Sequence, residues 1–393
     1  MTLTEPGRTA FLPFSTPDLG EEEAAEVRQS LLSGWLTTGP KVEKFTRDFL
    51  AYVNAPHGVA LNSATAGLHI AQAAIGLKPF DEVITSPLTF TATANTTLHV
   101  GAKPVFCDID PDTYNMDPVR LAEAAGPNTK AVIPVHFAGL PCDLDQISAV
   151  ARKYGAVVIE DAAHAVGAEY KGRKLGALSE MTVFSFHPNK NMTTGEGGLV
   201  SFADGKYLKP LAILGFHGID KTSWTGYPDR VVQDYDVVEA GFKYNMLDLQ
   251  AAIGIHQLKK LDRFNARRAA IAAYYKRELA DVEELHIPRL PAYAHKHAWH
   301  LFCPLVKTEK LDITRADFMN ELKALNIGTG LHYRAIHEHP LYRRLGFRQG
   351  MFPKAEYAGR RIVSLPLFPK MTDRDAEDVV KAVKCVLARH LNK

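Results

Sequence analysis

The chain has 393 residues, 46% of them hydrophobic and 23% charged, the balance of an ordinary soluble globule long enough for two units. Lys and Arg number 46 against 44 Asp and Glu, with no basic block and no aromatic-basic interleaving, so a nucleic-acid partner is not expected. No run approaches membrane-spanning length, residues 1–14 lack a signal pattern, and Cys107, Cys142, Cys303 and Cys385 are too scattered for a disulfide framework or zinc site; a cytoplasmic protein with free thiols is expected.

In chain order, residues 58–61 read as a short apolar strand and 66–75 as a helix. Residues 82–85 form a second strand, followed by a helix over 91–100 and a strand over 103–107. Strands at 131–135 and 156–160 continue the alternation, and 181–186 and 199–202 add two more around a glycine-rich turn. Strands apolar on both faces and separated by helices make a mainly parallel sheet covered on both sides, an α/β fold. After roughly Asp248 the pattern becomes a long helix to 279, a proline-punctuated stretch at 287–291, a strand candidate at 299–306, a helix at 314–325 and a last helix from Thr372. Asp373 and Asp375 after Thr372 suit a helix start. The expected organisation is a large unit over 1–250 and a smaller α/β unit over 251–393.

The chemistry-bearing residues fall where strands end, the edge at which such sheets bind ligands. Lys190 lies in Ser185-Phe-His-Pro-Asn-Lys-Asn-Met-Thr-Thr-Gly-Glu-Gly-Gly198, after one strand and before a glycine turn into the next. Burial there lowers an ammonium's pKa and makes the amine a nucleophile suited to a Schiff base with an anionic cofactor. A solvated surface lysine is the plainer alternative. Asp161, after the strand at 156–160, suits a protonated pyridine nitrogen, though taken alone the N-cap of a helix is the plainer reading. Asn62-Ser-Ala-Thr-Ala-Gly67 closes the first strand and opens a helix whose end favours a phosphate, though an ordinary capped turn has the same pattern. Phe90 could stack on a ring or simply pack. No GxGxxG follows a strand and no Walker lysine is present. Amine, carboxylate, phosphate cradle and aromatic together point to a pyridoxal-phosphate site. No metal role is assigned, because no ligand set converges in the sequence.

The strings Gly34-Trp-Leu-Thr-Thr-Gly-Pro40, Ser63-Ala-Thr-Ala-Gly67, Glu160-Asp-Ala-Ala-His164 and the Lys190 run resemble, in that order, the sugar aminotransferases of the DegT/DnrJ/EryC1/StrS family. The resemblance implies the aspartate-aminotransferase type fold (PLP-dependent transferase fold type I) and a homodimer with shared active sites. It implies pyridoxal 5'-phosphate as cofactor, with pyridoxamine phosphate as its alternate form. Lys190 is then the Schiff-base lysine, Asp161 the partner of the pyridine nitrogen and His164 a neighbour of the phenolic oxygen. By the same resemblance Ala64, Thr65 and Ser185 hold the phosphate, Asn245 reaches the phosphate in the neighbouring subunit, and Phe90 stacks on the ring. Relatives that dehydrate sugars carry histidine where Lys190 stands, so the resemblance implies transamination, with L-glutamate as donor and 2-oxoglutarate as its product.

Lys243-Tyr-Asn245, Asn265-Ala-Arg-Arg-Ala-Ala-Ile-Ala-Ala273, His297-Ala-Trp-His-Leu-Phe302 and Gly328-Thr-Gly-Leu-His-Tyr-Arg334 resemble one subgroup most. That subgroup aminates a UDP-4-keto-pentose to UDP-4-amino-4-deoxy-L-arabinose, used in lipid A modification of lipopolysaccharide. The chain departs from it at Phe90 (where the subgroup has Trp), at Thr194-Gly195 (Cys-Ala) and at Pro188-Asn189. The alternatives are a UDP- or dTDP-4-keto-6-deoxyhexose for surface glycans and a non-catalytic PLP-binding regulator. The Lys190–Asp161 pair, and the lack of a basic DNA-binding segment, speak against the regulator. His332, Tyr333 and His337 are candidate contacts to the nucleotide-linked keto sugar, with a solvated loop as the alternative for His337. Trp35 and Thr37 are candidates for the entrance.

Overall fold

The computed structural model describes residues 7–220 and 235–391. Among these, seven strands form one sheet: β1 (His57–Leu61), β2 (Glu82–Thr85), β3 (Lys103–Phe106), β4 (Thr129–Ile133), β5 (Val157–Asp161), β6 (Met181–Ser185) and β7 (Gly198–Phe202). Their spatial order is β1-β7-β6-β5-β4-β2-β3. β2 to β6 pair in parallel, whereas β7 runs against both β6 and β1. The reversal has a simple cause: residues 186–197 contain no crossover helix, so the chain returns beside the strand it has just left.

Both faces of the sheet are covered, because successive strand residues point to opposite sides. Val132, Val158 and Phe184 meet Phe45 and Phe49 of the helix Pro40–Val53 and Ile147 of the helix Leu144–Tyr154. Ile133, Ile159 and Val183 meet Ala66 and Ile70 of the helix Ala64–Ala74 and Leu211 of the helix Leu208–Gly215. Each such buried aliphatic or aromatic side chain contributes about 1.5–3 kcal/mol. The sheet is fold type I as expected, and strand limits differ from the expected ones by at most two residues. β4, for example, stops at Ile133 because Pro134 has no N–H to continue the ladder.

One expected strand is largely absent. Of residues 299–306 only Leu305–Val306 forms a strand, paired with Leu285–His286. Trp299 sits in the left-handed region (φ 49°) with its ring stacked on His297 at 3.8 Å, and Pro304 offers no donor.

The helix Asp248–Glu278 is continuous over 31 residues, roughly 46 Å. Ala251, Ile255 and Leu261 belong to the sheet core. Ile271 and Tyr275 belong to a second core with Phe302, Phe318, Val379 and Val383. The division expected at 250/251 therefore falls at the start of a helix shared by both cores. Residues 1–6 and 221–234 of its first unit and 392–393 of its second lie outside the described residues. Thr372 caps the helix Asp373–Arg389 by accepting from Asp375 N at 3.1 Å, while Asp375 Oδ2 accepts from Thr372 N at 2.8 Å. No described helix is long and apolar enough to cross a membrane. No described group of three or more His, Cys, Asp or Glu side chains could hold a metal ion.

Candidate active site

The register brings the functional strand ends to one edge. Gly198, first residue of β7, pairs with both Leu61 and Ser185, the last residues of β1 and β6. Asp161 closes β5 beside Val183. A cavity of about 250 Å³ opens at this edge. Ala64, Thr65, Phe90, Asp161, His164, Ser185, Lys190, His332 and Tyr333 all line it.

Lys190 is held by its connection. Its own N–H donates to His187 O at 2.9 Å, Thr194 N donates to Phe186 O at 3.0 Å, and Phe186 N donates to Gly197 O at 2.9 Å. Gly195 takes a left-handed conformation (φ 81°) that closes the loop. Asn191 Nδ2 donates to Asn265 Oδ1 and to Ala298 O, both at 2.7 Å, anchoring the loop to the long helix. Burial lowers the Lys190 amine from its ordinary value to about 8, with Asp161 pulling the other way. Lys190 is half-buried and lines the cavity.

Asp161 is buried, more deeply than the half-buried Lys190. Thr93 Oγ1 donates to its Oδ2 at 2.8 Å and Ala163 N donates to its Oδ1 at 3.1 Å. Burial pushes the carboxyl up, opposed by these two donors and by Lys190. No helix follows Asp161, so its backbone bond is a local turn rather than a helix cap. Sequence reasoning passed over Thr89 and Thr93, which share a hydrogen bond at 2.8 Å. Thr89 precedes the helix Thr91–His99, so no helical spacing marked the pair.

Ser63 caps the helix Ala64–Ala74 by accepting from Ala66 N at 3.1 Å. The amides of Ala64 and Thr65 remain at the helix end, beside the Ser185 hydroxyl across the cavity wall. Gly198 makes this approach possible: a Cβ there would lie 2.4 Å from Ser63 C and 2.5 Å from Ala64 N.

His164 accepts a hydrogen bond at Nδ1 from Ala138 N (3.3 Å), and its Nε2 lies 3.0 Å from Tyr333 Oη. Burial, then Lys190, holds the imidazole well below its usual pKa. An amide N–H can only donate, so in the neutral ring Nε2 carries the proton and gives it to Tyr333 Oη. The Tyr333 hydroxyl proton is then free for the cavity. His332 Nδ1 shares a 2.8 Å hydrogen bond with Ser364 Oγ. Burial and Lys190 bring the His332 ring down to about 4. Phe90 is 57% exposed, with its ring 6.0 Å from that of Tyr333.

The remaining expected residues lie elsewhere. Asn245 Nδ2 donates to Thr38 Oγ1 at 2.8 Å, Trp35 Nε1 to Thr38 O at 3.2 Å, and Thr37 O accepts from Asp248 N at 3.1 Å. Asp248 also caps the helix Pro40–Val53 through Gly39 N and Val42 N, both at 2.9 Å. Asn245, Trp35 and Thr37 thus form one knot off this cavity, with Trp35 54% exposed. His337 is neither a cavity residue nor part of a solvated loop. It is fully buried, with Nε2 3.0 Å from Glu356 Oε1, because the carboxylate also gathers Gly350 N at 2.6 Å.

These residues fit pyridoxal phosphate. The cofactor needs an uncharged amine, a carboxylate out of water, a dianion cradle and flat walls. The cavity offers Lys190, Asp161, a capped helix end with Ser185, and the Phe90 and His164 rings.

A model of the DegT/DnrJ/EryC1/StrS aminotransferase family matches residues 17–384. The chain is 47% identical over 384 residues to the uncharacterized protein MJ1066 of Methanocaldococcus jannaschii, covering 98% of this chain and 99% of that one. It is 46% identical over 385 residues to the spore coat polysaccharide biosynthesis protein SpsC of Bacillus subtilis, covering 97% and 98%. Among solved structures it resembles Spr1654 of Streptococcus pneumoniae, assigned as a sugar aminotransferase, in its PMP form. That likeness has a TM-score of 0.88 at 32% identity, over 96% of this chain and 98% of that one. The same protein is solved in its PLP form.

Proposed function

The chain belongs to the DegT/DnrJ/EryC1/StrS aminotransferase family, and from that premise we propose that it moves the amino group of L-glutamate to the 4-keto carbon of a nucleotide-linked sugar. That it is a PLP-dependent sugar transaminase follows from the family and its PLP- and PMP-bearing structural relatives. Donor, nucleotide and sugar are our reading. The observation that carries it is the half-buried Lys190 amine, its pKa lowered to about 8, lining one cavity with the buried Asp161 carboxylate.

When bound, the cofactor supplies an electron sink for the pair left at carbon when a proton departs. The chain's residues do the rest. Lys190 Nζ, lowered to about 8, takes the α-proton of the donor and returns a proton to the acceptor carbon. Asp161, oriented by Thr93 and Ala163 N, holds the ring nitrogen protonated. The amides of Ala64 and Thr65 and the Ser185 hydroxyl take the phosphate, and Phe90 covers the ring. His164 acts through Tyr333, whose free hydroxyl proton would donate to the substrate or to the cofactor's phenolic oxygen. His332 contacts the sugar. Asn245, Trp35 and Thr37, off this cavity, suit the neighbouring site of a homodimer.

For the sugar, similarity to a spore coat polysaccharide protein favours the surface-glycan reading, a UDP- or dTDP-4-keto-6-deoxyhexose. The UDP-4-keto-pentose stands second, supported by the strings around Asn245 and His332 and opposed by Phe90, Pro188-Asn189 and Thr194-Gly195. The test is ¹⁵N-labelled glutamate supplied with each keto sugar in turn, and product mass spectrometry. Label in an amino-6-deoxyhexose supports the first reading and label in an amino-pentose the second. No label in either sugar overturns both.

A further inference from the structure

The segment just before the first helix crosses to the far side of the cavity. Arg8 Nη1 donates to Asp375 Oδ1 at 2.6 Å and Asp378 Oδ2 at 3.3 Å, and Arg8 O accepts from Asn326 Nδ2 at 2.9 Å. Leu12 N donates to Asn326 O at 2.9 Å, and Gly328 N donates to Leu12 O at 2.8 Å. Leu12 itself is buried in the second core. These bonds lay the segment against residues 326–330 like an added strand.

The strap ends on the active site. The Phe14 ring packs on the imidazole of His332, centroids 5.2 Å apart and planes 30° from parallel. Two glycines make room for the contact. At Gly328 a Cβ would lie 2.9 Å from both Leu12 O and Phe14 N, and at Gly330 it would lie 2.9 Å from His332 Cε1 and 3.0 Å from Phe14 Cε2. Gly330 also exchanges backbone bonds with Ser364, at 2.9 and 2.8 Å, whose hydroxyl holds His332 Nδ1. His332 is thus gripped by Ser364 at one ring atom and by Phe14 on its face.

We propose that Phe14, carried by this strap, is a positioning residue for His332 and so sets how tightly the enzyme holds its nucleotide-sugar substrate. The proposal rests on the reading of His332 as a sugar contact. The imidazole's hydrogen bond to Ser364 leaves the ring free to rotate about it, and the Phe14 ring, with the edge-on Tyr333 ring at 4.9 Å, limits that rotation. A side chain held within a few tenths of an ångström by packing loses less freedom on binding.

The experiment uses the holoenzyme with selectively labelled histidine, the His332 ring signal being assigned with His332→Gln. Phe14→Ala, Phe14→Tyr and Arg8→Met are compared with the parent. The expected result is a displaced His332 signal in Phe14→Ala, and a smaller displacement in Arg8→Met. KM for the keto sugar, tested as UDP-4-keto-pentose and dTDP-4-keto-6-deoxyhexose, should rise about tenfold in Phe14→Ala with kcat within about threefold. Phe14→Tyr, which keeps the ring, should restore both. An unmoved His332 signal in Phe14→Ala overturns the proposal whichever sugar is accepted. A moved signal with unchanged KM keeps the strap's grip on His332 and overturns its link to substrate, and with it the reading of His332 as a sugar contact.

Discussion

Thr93 Oγ1 donates a 2.8 Å hydrogen bond to Asp161 Oδ2, tying the first turn of the helix Thr91–His99 to the buried carboxylate at the end of β5. The bond sets the plane of the carboxylate and offsets part of the burial that raises its pKa. Thr93→Val keeps the shape and removes the donor. A hydrogen bond to a charged group contributes about 1.5–3 kcal/mol, so cofactor affinity should fall roughly ten- to a hundredfold. Absorbance titration of the apo protein with pyridoxal phosphate measures this, and an unchanged Kd would remove Thr93 from the account.

Asp161→Ala should leave the fold intact and slow amino transfer by at least about a hundredfold, the usual cost of losing a preorganised electrostatic partner. The circular-dichroism spectrum checks the fold and single-turnover consumption of glutamate checks the rate. A parental rate would contradict the role given to this carboxylate.

Capture of the cofactor aldehyde requires the neutral form of Lys190. Burial places that amine at about 8, so uptake by the apo protein should accelerate as pH rises from 7 and level off above about 9. Asp161 favours the ammonium, so removing it should move the midpoint to lower pH. Stopped-flow absorbance gives the profile. A midpoint near the ordinary lysine value would mean that the amine is solvated.

Gly198→Ala forces a methyl into backbone atoms of Ser63 and Ala64. The clash should cost about 1–3 kcal/mol of stability and push the helix end away from the Ser185 hydroxyl, so affinity for free phosphate should fall with the melting temperature. Both are measured by thermal shift with and without phosphate. A loss of stability with unaltered phosphate protection would place the anion elsewhere.

The alternation of apolar strands and helices was legible because the central strands are buried on both faces, and Lys190, Asp161 and Ser63-Ala-Thr were legible because strand ends mark the ligand edge. Residues 299–306 misled because an apolar run carries no record of Trp299's left-handed backbone or of the donor missing at Pro304. His337 looked like a loop residue because its partner, Glu356, lies 19 positions on. Thr93, Ser364 and Phe14 were passed over for the same reason: each acts on a site residue 68, 32 or 318 positions away, and single-chain periodicity says nothing of such pairs. Resemblance supplied what spacing could not, an expected role for each residue toward a cofactor.

The central claim is that Lys190 carries the cofactor. Borohydride reduction of the cofactor-loaded protein, followed by peptide mass spectrometry, tests it most directly. The account predicts the pyridoxyl mass on Lys190 alone. The same mass on another lysine, with Lys190 unmodified, would contradict it.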